Sequence, residues 1–262
     1  MKEKLTRRGF VKNSLAVGGP ALVALHALPL AAAESQEARS APKRLKVVCV
    51  GAHPDDPESG CAGTLAQYAA QGHEVTVIYL TRGERGISGK SNDEAAAIRT
   101  REAEAACQIM GAKAVFAGQI DGSTEFTRAT VDALLRLLTP APPDLVFAHW
   151  PIDTHMDHQV ASMCTLAAYR ALPRRPRLCF FEVNTGSQSQ GFAPNTYVDV
   201  TAVMEKKRTA LCAHVSQDGA GVWRQHHEPV ALFRGREAGV RLAEAFFQLN
   251  REIQAARLPG VA

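Results

Sequence analysis

The chain has 262 residues, 46% of them hydrophobic, which is enough for one domain with a sizeable core plus a short appendage. Its formal net charge is +4, but residues 1–33 contain five basic side chains and one acidic one, and therefore carry the whole excess. The rest of the chain is formally neutral, which argues against nucleic acid or an anionic membrane as a partner.

The first 33 residues predict an export signal. Arg7 and Arg8 form a twin-arginine pattern, and the uncharged segment 13–33 ends in Leu-Ala-Ala-Ala, a small-residue cleavage signal. A retained transmembrane anchor is the alternative, because about 20 residues suffice to span a bilayer, although several glycines and prolines make this segment weakly apolar. We predict cleavage near residues 33–34, export by the twin-arginine route, a periplasmic or secreted location, and only transient membrane contact.

The predicted mature chain starts with a flexible polar leader, residues 34–43, and continues as one domain, residues 44–262. Its six cysteines lie in apolar contexts and form no C-x-x-C pair, so we expect buried thiols, although one pair could still meet in space. The polar stretch 184–191 predicts a surface loop.

Apolar runs alternate with helix-length segments throughout this domain. A helix between successive strands is typical of right-handed βαβ units, so we predict an α/β fold, Rossmann-like and three-layered, with a mostly parallel sheet. The sequence contains neither G-x-G-x-x-G after its first strand nor a P-loop motif, which disfavours nucleotide binding. Strands are predicted at 45–50, 74–80, 114–117, 145–149, 178–183 and 197–200, and helices at 59–70, 93–110, 128–138, 157–171, 202–213 and 236–254.

The turn after the first predicted strand contains a cluster of polar side chains. His53, Asp55 and Asp56 lie there at the carboxyl edge of the sheet, where open α/β folds bind their ligands. Imidazole and carboxylate together form a zinc-binding set. The alternative is that Asp56 merely caps the helix, with Pro57 at the first helical position. A cap uses one oxygen and explains neither His53 nor the second aspartate.

A second cluster follows the predicted strand 145–149 and therefore lies at the same edge. His155 and His158 are three residues apart at a helix start, a spacing that places them on one helix face. Asp153 or Asp157 as a simple N-cap is the alternative. Two such clusters on one edge indicate a metal site more strongly than either cluster does alone.

The domain contains four short motifs in order: residues 52–56 (AHPDD), 60–65 (GCAGTL), 81–86 (TRGERG) and 153–158 (DTHMDH). Together they resemble the PIG-L/LmbE-like family of zinc-dependent N-deacetylases over most of the domain. The sequence departs from that family at two positions, which bear on substrate fit more than on chemistry: Pro57 replaces a common Glu, and Met156 replaces a common Pro.

The resemblance implies a role for each residue of the two clusters. It makes Asp55 the general base and His155 the proton donor or oxyanion stabiliser, oriented by Asp157. Three protein ligands leave zinc an open position for water, whose pKa then falls toward about 7. The implied zinc ligands are His53, Asp56 and His158.

Polar residues beyond the clusters are candidate substrate contacts. For Arg82 and Glu84 the alternative to substrate contact is an ion pair with each other that fixes their loop. His214 closes a helix and is either a dipole partner or a pocket residue, whereas His226 and His227 are predicted to lie at the surface. The predicted substrate contacts are Arg82, Glu84, Arg99 and Asp153.

The expected function is hydrolysis of an acetamido group by an exported zinc enzyme. We expect an N-acetylglucosamine-type sugar as the substrate, either a small molecule or a glycoconjugate, with acetate as a product. One alternative is an amidase that cleaves a larger acyl or peptide-like amide with the same residues. Another is a non-catalytic carbohydrate-binding protein, which the presence of all the catalytic and ligand residues disfavours.

Overall fold

The computed structural model describes residues 43–249, so the predicted signal and nearly all of the predicted leader lie outside the described residues. The described part is built on a seven-stranded sheet. Its strands are β1 (Lys46–Gly51), β2 (Glu74–Tyr79), β3 (Lys113–Phe116), β4 (Leu145–His149), β5 (Arg177–Phe181), β6 (Thr196–Asp199) and β7 (Ala243–Leu249).

The strand order is β3-β2-β1-β4-β5-β7-β6. Strands β1 to β5 are paired in parallel, while β7 is antiparallel to both β5 and β6, so the sheet is mostly parallel as predicted. The chain runs outward from β1 through β2 to β3 and then returns to β4 on the other side of β1. The carboxyl ends of β1 and β4 therefore flank the point where the strand order reverses, which is where open α/β sheets form a crevice.

Helices cover both faces of the sheet, because alternate residues of each buried strand point to opposite faces. Val47 and Cys49 belong to the core shared with α1, α2 and α5, whereas Val48 and Val50 belong to the core shared with α3 and α4. The predicted three-layer α/β class is confirmed. The helices are α1 (Asp56–Ala70), α2 (Asn92–Met110), α3 (Arg128–Leu138), α4 (Met156–Ala171), α5 (Met204–Cys212), α6 (Gly219–Val222) and α7 (Glu228–Ala238).

The C-terminal part differs most from the prediction. The segment 236–254 was expected to be a helix, but α7 ends at Ala238 and 243–249 form strand β7. Apolar residues at Leu242, Phe246 and Leu249 suit a helical face, yet Phe246 pairs in register with Phe181 of β5 and with Thr196 of β6. The segment forms a strand and not a helix because its backbone pairs with two strands that are distant in sequence.

Helix α1 is tied to the elements beside it by a buried ion pair. Lys207 on α5 donates to the carbonyl of Ser59 at 2.7 Å and lies 2.6 Å from Oε1 of Glu244 on β7. The Glu244 carboxylate in turn accepts the N–H groups of Gly63 and Thr64. A regular helix would pair the carbonyl of Ser59 with the N–H of Gly63, so the ion pair engages backbone groups within the helix.

The described helices include none that is both long enough and apolar enough to cross a bilayer. The thiols agree with the expectation of free cysteines: five of the six are buried and the sixth, Cys212, is partly buried. Cys49 and Cys61 do meet, with their sulfur atoms 3.3 Å apart.

Candidate metal centre and active site

A cavity of about 290 Å³ opens at the carboxyl ends of β1 and β4. The turn before α1 and the first turn of α4 both contribute to its wall, so the fold brings the two sequence clusters together. Six of the ten predicted site residues line this cavity. They are His53, Asp55, Asp56, Arg99, His155 and His158.

Three of these side chains are arranged as ligands of one metal ion. Nδ1 of His53 lies 3.2 Å from Oδ2 of Asp56, and Nε2 of His158 lies 3.3 Å from Oδ1 of Asp56. Ligand atoms about 2.0–2.1 Å from a tetrahedral zinc ion lie about 3.3–3.4 Å apart, and these two imidazole–carboxylate spacings, one to each oxygen of Asp56, are of that size. All three residues are buried, and together they form a candidate metal-holding group.

The Asp56 carboxylate is held by the backbone of His53 and lies beside a further histidine. Its Oδ2 accepts the backbone N–H of His53 at 2.7 Å and lies 3.2 Å from Nε2 of His149, whose ring stacks on His158 at 4.2 Å between centroids. Burial alone would raise the pKa of Asp56, but His158 and His149 hold it well below its usual range. His149 ends β4, and sequence reasoning assigned it no role.

The Asp157 carboxylate lies behind His53, not behind His155 as predicted. Oδ2 is 3.0 Å from Nε2 of His53 and accepts the N–H of Gly122, while Oδ1 accepts the hydroxyl of Thr124. A carboxylate behind a ligand histidine fixes which ring nitrogen is protonated. Here it places the proton on Nε2 and leaves Nδ1 of His53 for the metal.

The Asp153 carboxylate lies behind His158 and contacts protein groups with both oxygens. Its side chain is fully buried, with Oδ1 3.2 Å from Nδ1 of His158. The same oxygen accepts the N–H of His155 at 2.8 Å, and Oδ2 accepts the hydroxyl of Ser189. Burial alone would raise the pKa of Asp153, but His158 and the His155 N–H lower it.

Asp55, and not Asp56, is the residue that caps α1, and its carboxylate faces another partner. Oδ1 lies 3.3 Å from the Arg99 guanidinium, which also donates to the carbonyl of Pro54. Burial raises the pKa of Asp55 to about 6; the charge of Arg99 opposes this shift and the neighbouring Asp56 adds to it. Two adjacent aspartates thus occupy distinct environments.

His155 lines the cavity beside His53, with ring centroids 4.7 Å apart. Its Nδ1 accepts the backbone N–H of Asp157 at 3.2 Å, so the neutral ring carries its proton on Nε2. Burial and the charges of His53 and His158 lower the pKa of His155. The ring is therefore a neutral hydrogen-bond donor near pH 7.

Arg82 and Glu84 form the internal pair that was the alternative to substrate contact. Nε of Arg82 is 3.3 Å from Oε1 of Glu84, and Glu84 is buried and also accepts the N–H of Asp121. Neither residue is among those lining the cavity, which instead include Arg85 of the same motif. The structure shows the internal pair, and substrate contact by Arg82 and Glu84 stays a prediction.

Several cavity residues escaped sequence reasoning. Asp121, with Oδ1 3.3 Å from Nε2 of His53, comes after β3, so the rule of shared carboxyl ends could have found it. Asn184 and Gln188 belong to the predicted surface loop after β5, and Gln217 follows α5. Asn184, Gln188 and Gln217 lie far along the chain from the two clusters, and no motif around them indicates a site.

His214 closes helix α5 as predicted, whereas His227 differs from its predicted surface position. His227 is buried, not exposed, at the end of a π-helical turn, Trp223–His227. His214 follows α5 and is fully buried, with Nε2 3.6 Å from Oε1 of Glu58. It is not among the residues that line the cavity.

Comparison with known proteins matches both the sequence and the fold. The family model described as "PIG-L: GlcNAc-PI de-N-acetylase" matches residues 48–169, which contain both clusters. A diacetylchitobiose deacetylase from Thermococcus kodakarensis is 31% identical over 217 residues, covering 76% of this chain and 81% of that protein. A 4-oxalmesaconate hydratase from Pseudomonas putida is 28% identical, covering 78% and 84%. The solved structure of an N,N'-diacetylchitobiose deacetylase from Pyrococcus horikoshii matches with a TM-score of 0.69 and 27% identity, covering 80% and 86% of the two chains.

Proposed function

Because this chain belongs to the PIG-L family of deacetylases, we propose that it is a zinc-dependent hydrolase that removes an acetyl group from an N-acetylglucosamine-type sugar. One observation carries the proposal: a buried His-Asp-His triad with the spacing of zinc ligands lines the same cavity as a carboxylate outside the triad, Asp55. A metal ligand set alone would suit binding, but the extra carboxylate supplies the base that hydrolysis needs.

The proposed mechanism assigns the proton transfers to Asp55. His53, Asp56 and His158 would hold the zinc ion, which would act as a Lewis acid toward the amide carbonyl and would lower the pKa of a bound water. Asp55 accepts the proton of the attacking water, and a pKa of about 6 suits a base working near neutral pH. The same carboxyl group then passes this proton to the leaving nitrogen, which leaves acetate and a free amine.

His155 stabilises the oxyanion in this scheme. Its neutral ring carries the proton on Nε2, because Nδ1 accepts the N–H of Asp157. A preorganised neutral donor in a partly buried site stabilises developing negative charge without needing to be protonated first. This role agrees with the lowered pKa of His155, whereas a proton-donor role would require the charged ring.

The lining of the cavity supports a polar, sugar-like substrate. Arg99, Asp121, Asn184, Gln188 and Gln217 surround the triad with hydrogen-bond donors and acceptors. Such groups match the hydroxyl and acetamido groups of an N-acetylated sugar. The named sugar deacetylases among the similar proteins favour the same substrate class over a larger acyl or peptide-like amide.

The test is acetate release by chelator-treated protein with and without added zinc. We expect turnover of N-acetylglucosamine or N,N'-diacetylchitobiose only in the metal-loaded protein, and little turnover of N-acetylated peptides. Parallel assays with an unsaturated carboxylic acid measure water addition, the reaction class named for the Pseudomonas relative. Hydration without acetate release from any N-acetylated substrate would contradict the proposal.

We also propose that the protein acts outside the cytoplasm. The support is the twin-arginine pattern at Arg7 and Arg8, which lies outside the described residues. An exported enzyme of this kind would meet its substrate as a small molecule or as part of a glycoconjugate.

A further inference from the structure

The backbone of Asp55 is held in an unfavourable conformation. Its φ of 109° lies in the region that non-glycine residues rarely adopt, and only Asn184 and Asp218 share a positive φ among the described non-glycine residues. Such a conformation costs free energy and persists only where surrounding contacts enforce it. Contacts from neighbouring groups therefore hold Asp55 in this conformation.

Glu58 makes the contact that holds Asp55 from the protein interior. Its Oε2 accepts the backbone N–H of Asp55 at 3.2 Å, and its Oε1 accepts the hydroxyl of Tyr79 at 2.5 Å. His214 lies 3.6 Å from the same Oε1. All three of these supporting side chains are fully buried, with exposed fractions of 0%.

This arrangement exceeds what a helix cap requires. At the start of α2, Glu94 accepts the N–H of Ser91 in the same reciprocal cap, but both side chains are exposed to solvent. A buried carboxyl group costs free energy unless it is hydrogen-bonded or paired, so an ordinary cap gains nothing from burial. Glu58 is instead surrounded by dedicated partners on β2 and after α5.

A second contact holds the turn from the cavity side. Arg99 donates to the carbonyl of Pro54 at 2.5 Å and lies 3.3 Å from the Asp55 carboxylate. Gly83 and Gly86 make room for it, because a Cβ at either position would lie 2.5 Å or 2.2 Å from the Arg99 guanidinium. The backbone and carboxylate of Asp55 are thus held by two separate side chains, Glu58 and Arg99.

We propose that Glu58 is a positioning residue for catalysis: by holding the N–H of Asp55, it keeps the Asp55 carboxylate in place for proton transfer. Tyr79 and His214 act through Glu58 by fixing its carboxyl group. This inference rests on the proposed function, because it assumes that Asp55 is the base. A displacement of a reacting group by about 1 Å can cost about 10²-fold in rate.

The experiment compares Glu58→Ala, Glu58→Gln and Tyr79→Phe with the wild type, measuring kcat, KM, zinc content and the crystal structure around Asp55. We expect kcat of Glu58→Ala to fall about 10²-fold at nearly unchanged KM and zinc content. Glu58→Gln should restore most of kcat, because its amide oxygen can still accept the Asp55 N–H. Tyr79→Phe should cause a smaller loss in the same direction.

The matched control is Glu94→Ala, which removes the same type of cap from α2 and should leave kcat unchanged. If kcat of Glu58→Ala stays within about twofold of wild type, or falls only in proportion to zinc content, the inference is wrong. The φ of Asp55 in the Glu58→Ala crystal structure is a separate readout: we expect it to leave the positive region. If the wild type releases no acetate, the proposed function fails, while an Asp55 φ that stays positive would overturn the positioning role by itself.

Discussion

Adjacent aspartates lie in different chemical environments in this site because their carboxylates reach different partners. Asp56 lies between His53, His149 and His158, and Asp55 lies beside Arg99. Histidine neighbours lower the pKa of Asp56, which suits a metal ligand, whereas burial raises that of Asp55 to about 6, which suits a base.

Because of this difference, we expect an Asp→Asn substitution to have a different effect at each position. Asp55→Asn should keep zinc content near that of the wild type and lower kcat about 10²- to 10⁴-fold, because the general base is removed. Asp56→Asn should instead weaken zinc binding. Zinc content and acetate release, measured for both variants, distinguish a general base from a metal ligand. Turnover near wild type in Asp55→Asn would refute the mechanism.

A second prediction follows from the position of Asp157 behind His53. Asp157→Ala should weaken zinc binding about 10- to 100-fold, because the protonated nitrogen of His53 loses its carboxylate partner. Zinc affinity is measured by competition with a chelator. Thr124→Val is the matched control, since it removes a hydrogen bond to Asp157 but leaves the contact with His53, and it should have a smaller effect. Unchanged affinity with a lower kcat would favour the role at His155 that the sequence suggested.

At the scale of elements, the ion pair between Lys207 and Glu244 joins α1, α5 and β7 in the core. Each side chain is at most 3% exposed. Removing one partner of a buried pair leaves an uncompensated charge, whereas replacing both with apolar groups can be nearly neutral.

We therefore predict strong coupling between these two positions. Lys207→Met and Glu244→Leu should each lower the free energy of unfolding by about 3–5 kcal/mol, and the double variant should lose much less than the sum. Denaturant unfolding of the four proteins measures the coupling. Additive losses would mean that the pair contributes no mutual stabilisation.

His227 ends the π-helical turn before α7. We predict that this buried histidine makes the free energy of unfolding depend on pH. Burial, together with the charges of Lys207 and His226, lowers its pKa to about 3, against about 6.5 in an unfolded chain. Below pH 6.5 the unfolded state gains a proton that the folded state does not, so stability is complete above about pH 6.5 and is lost as pH falls toward 3.

The measurement is the free energy of unfolding of wild type and His227→Phe between pH 7.5 and about 4. We expect a flatter profile for the variant, because the titrating ring is absent. His226→Gln is the control: it removes only one of the smaller causes of the shift and keeps the buried His227 ring, so most of the slope should remain. Parallel profiles for wild type and His227→Phe would exclude His227 as a source of the pH dependence.

At the scale of the whole molecule, the site exists because the strand order reverses between β1 and β4. Their carboxyl ends are neighbours in the sheet, although the two clusters are about 100 residues apart along the chain. The same edge also receives the loops after β3 and β5, which supply Asp121 and Asn184 to the cavity. The residues that line the cavity and the candidate metal ligands therefore come from loops at the same edge of the sheet.

Export is the prediction that concerns the full chain. Changing Arg7 and Arg8 together to Lys should retain the protein in the cytoplasm, because the twin-arginine route requires both side chains while the charge is unchanged. Lys4→Arg is the charge-conserving control and should still be exported. Fractionation of cells measures the outcome, and normal export of the double variant would mean that another route is used.

The sequence by itself determined the α/β class, the edge that bears the site and the candidate ligands. Runs of β-branched residues specify buried strands locally, and the AHPDD and DTHMDH motifs follow two of them directly. The carboxyl ends of parallel strands share one edge, so both clusters could be placed without coordinates. The class and the edge needed only local patterns and one topological rule, whereas the choice of ligands within the clusters came from the resemblance to the PIG-L/LmbE-like family.

Only the tertiary structure decided what depends on distant neighbours. Strand β7 replaces a predicted helix because its backbone pairs with β5 and β6, which no local pattern reveals. The carboxylates of Asp153 and Asp157 lie beside His158 and His53, because loop geometry selects the partner of each carboxylate. Glu58 reaches the N–H of Asp55 through a local cap, but its buried partners Tyr79 and His214 come from β2 and from the segment after α5. Residue identity is local, but the partner of a buried polar group is set by the fold.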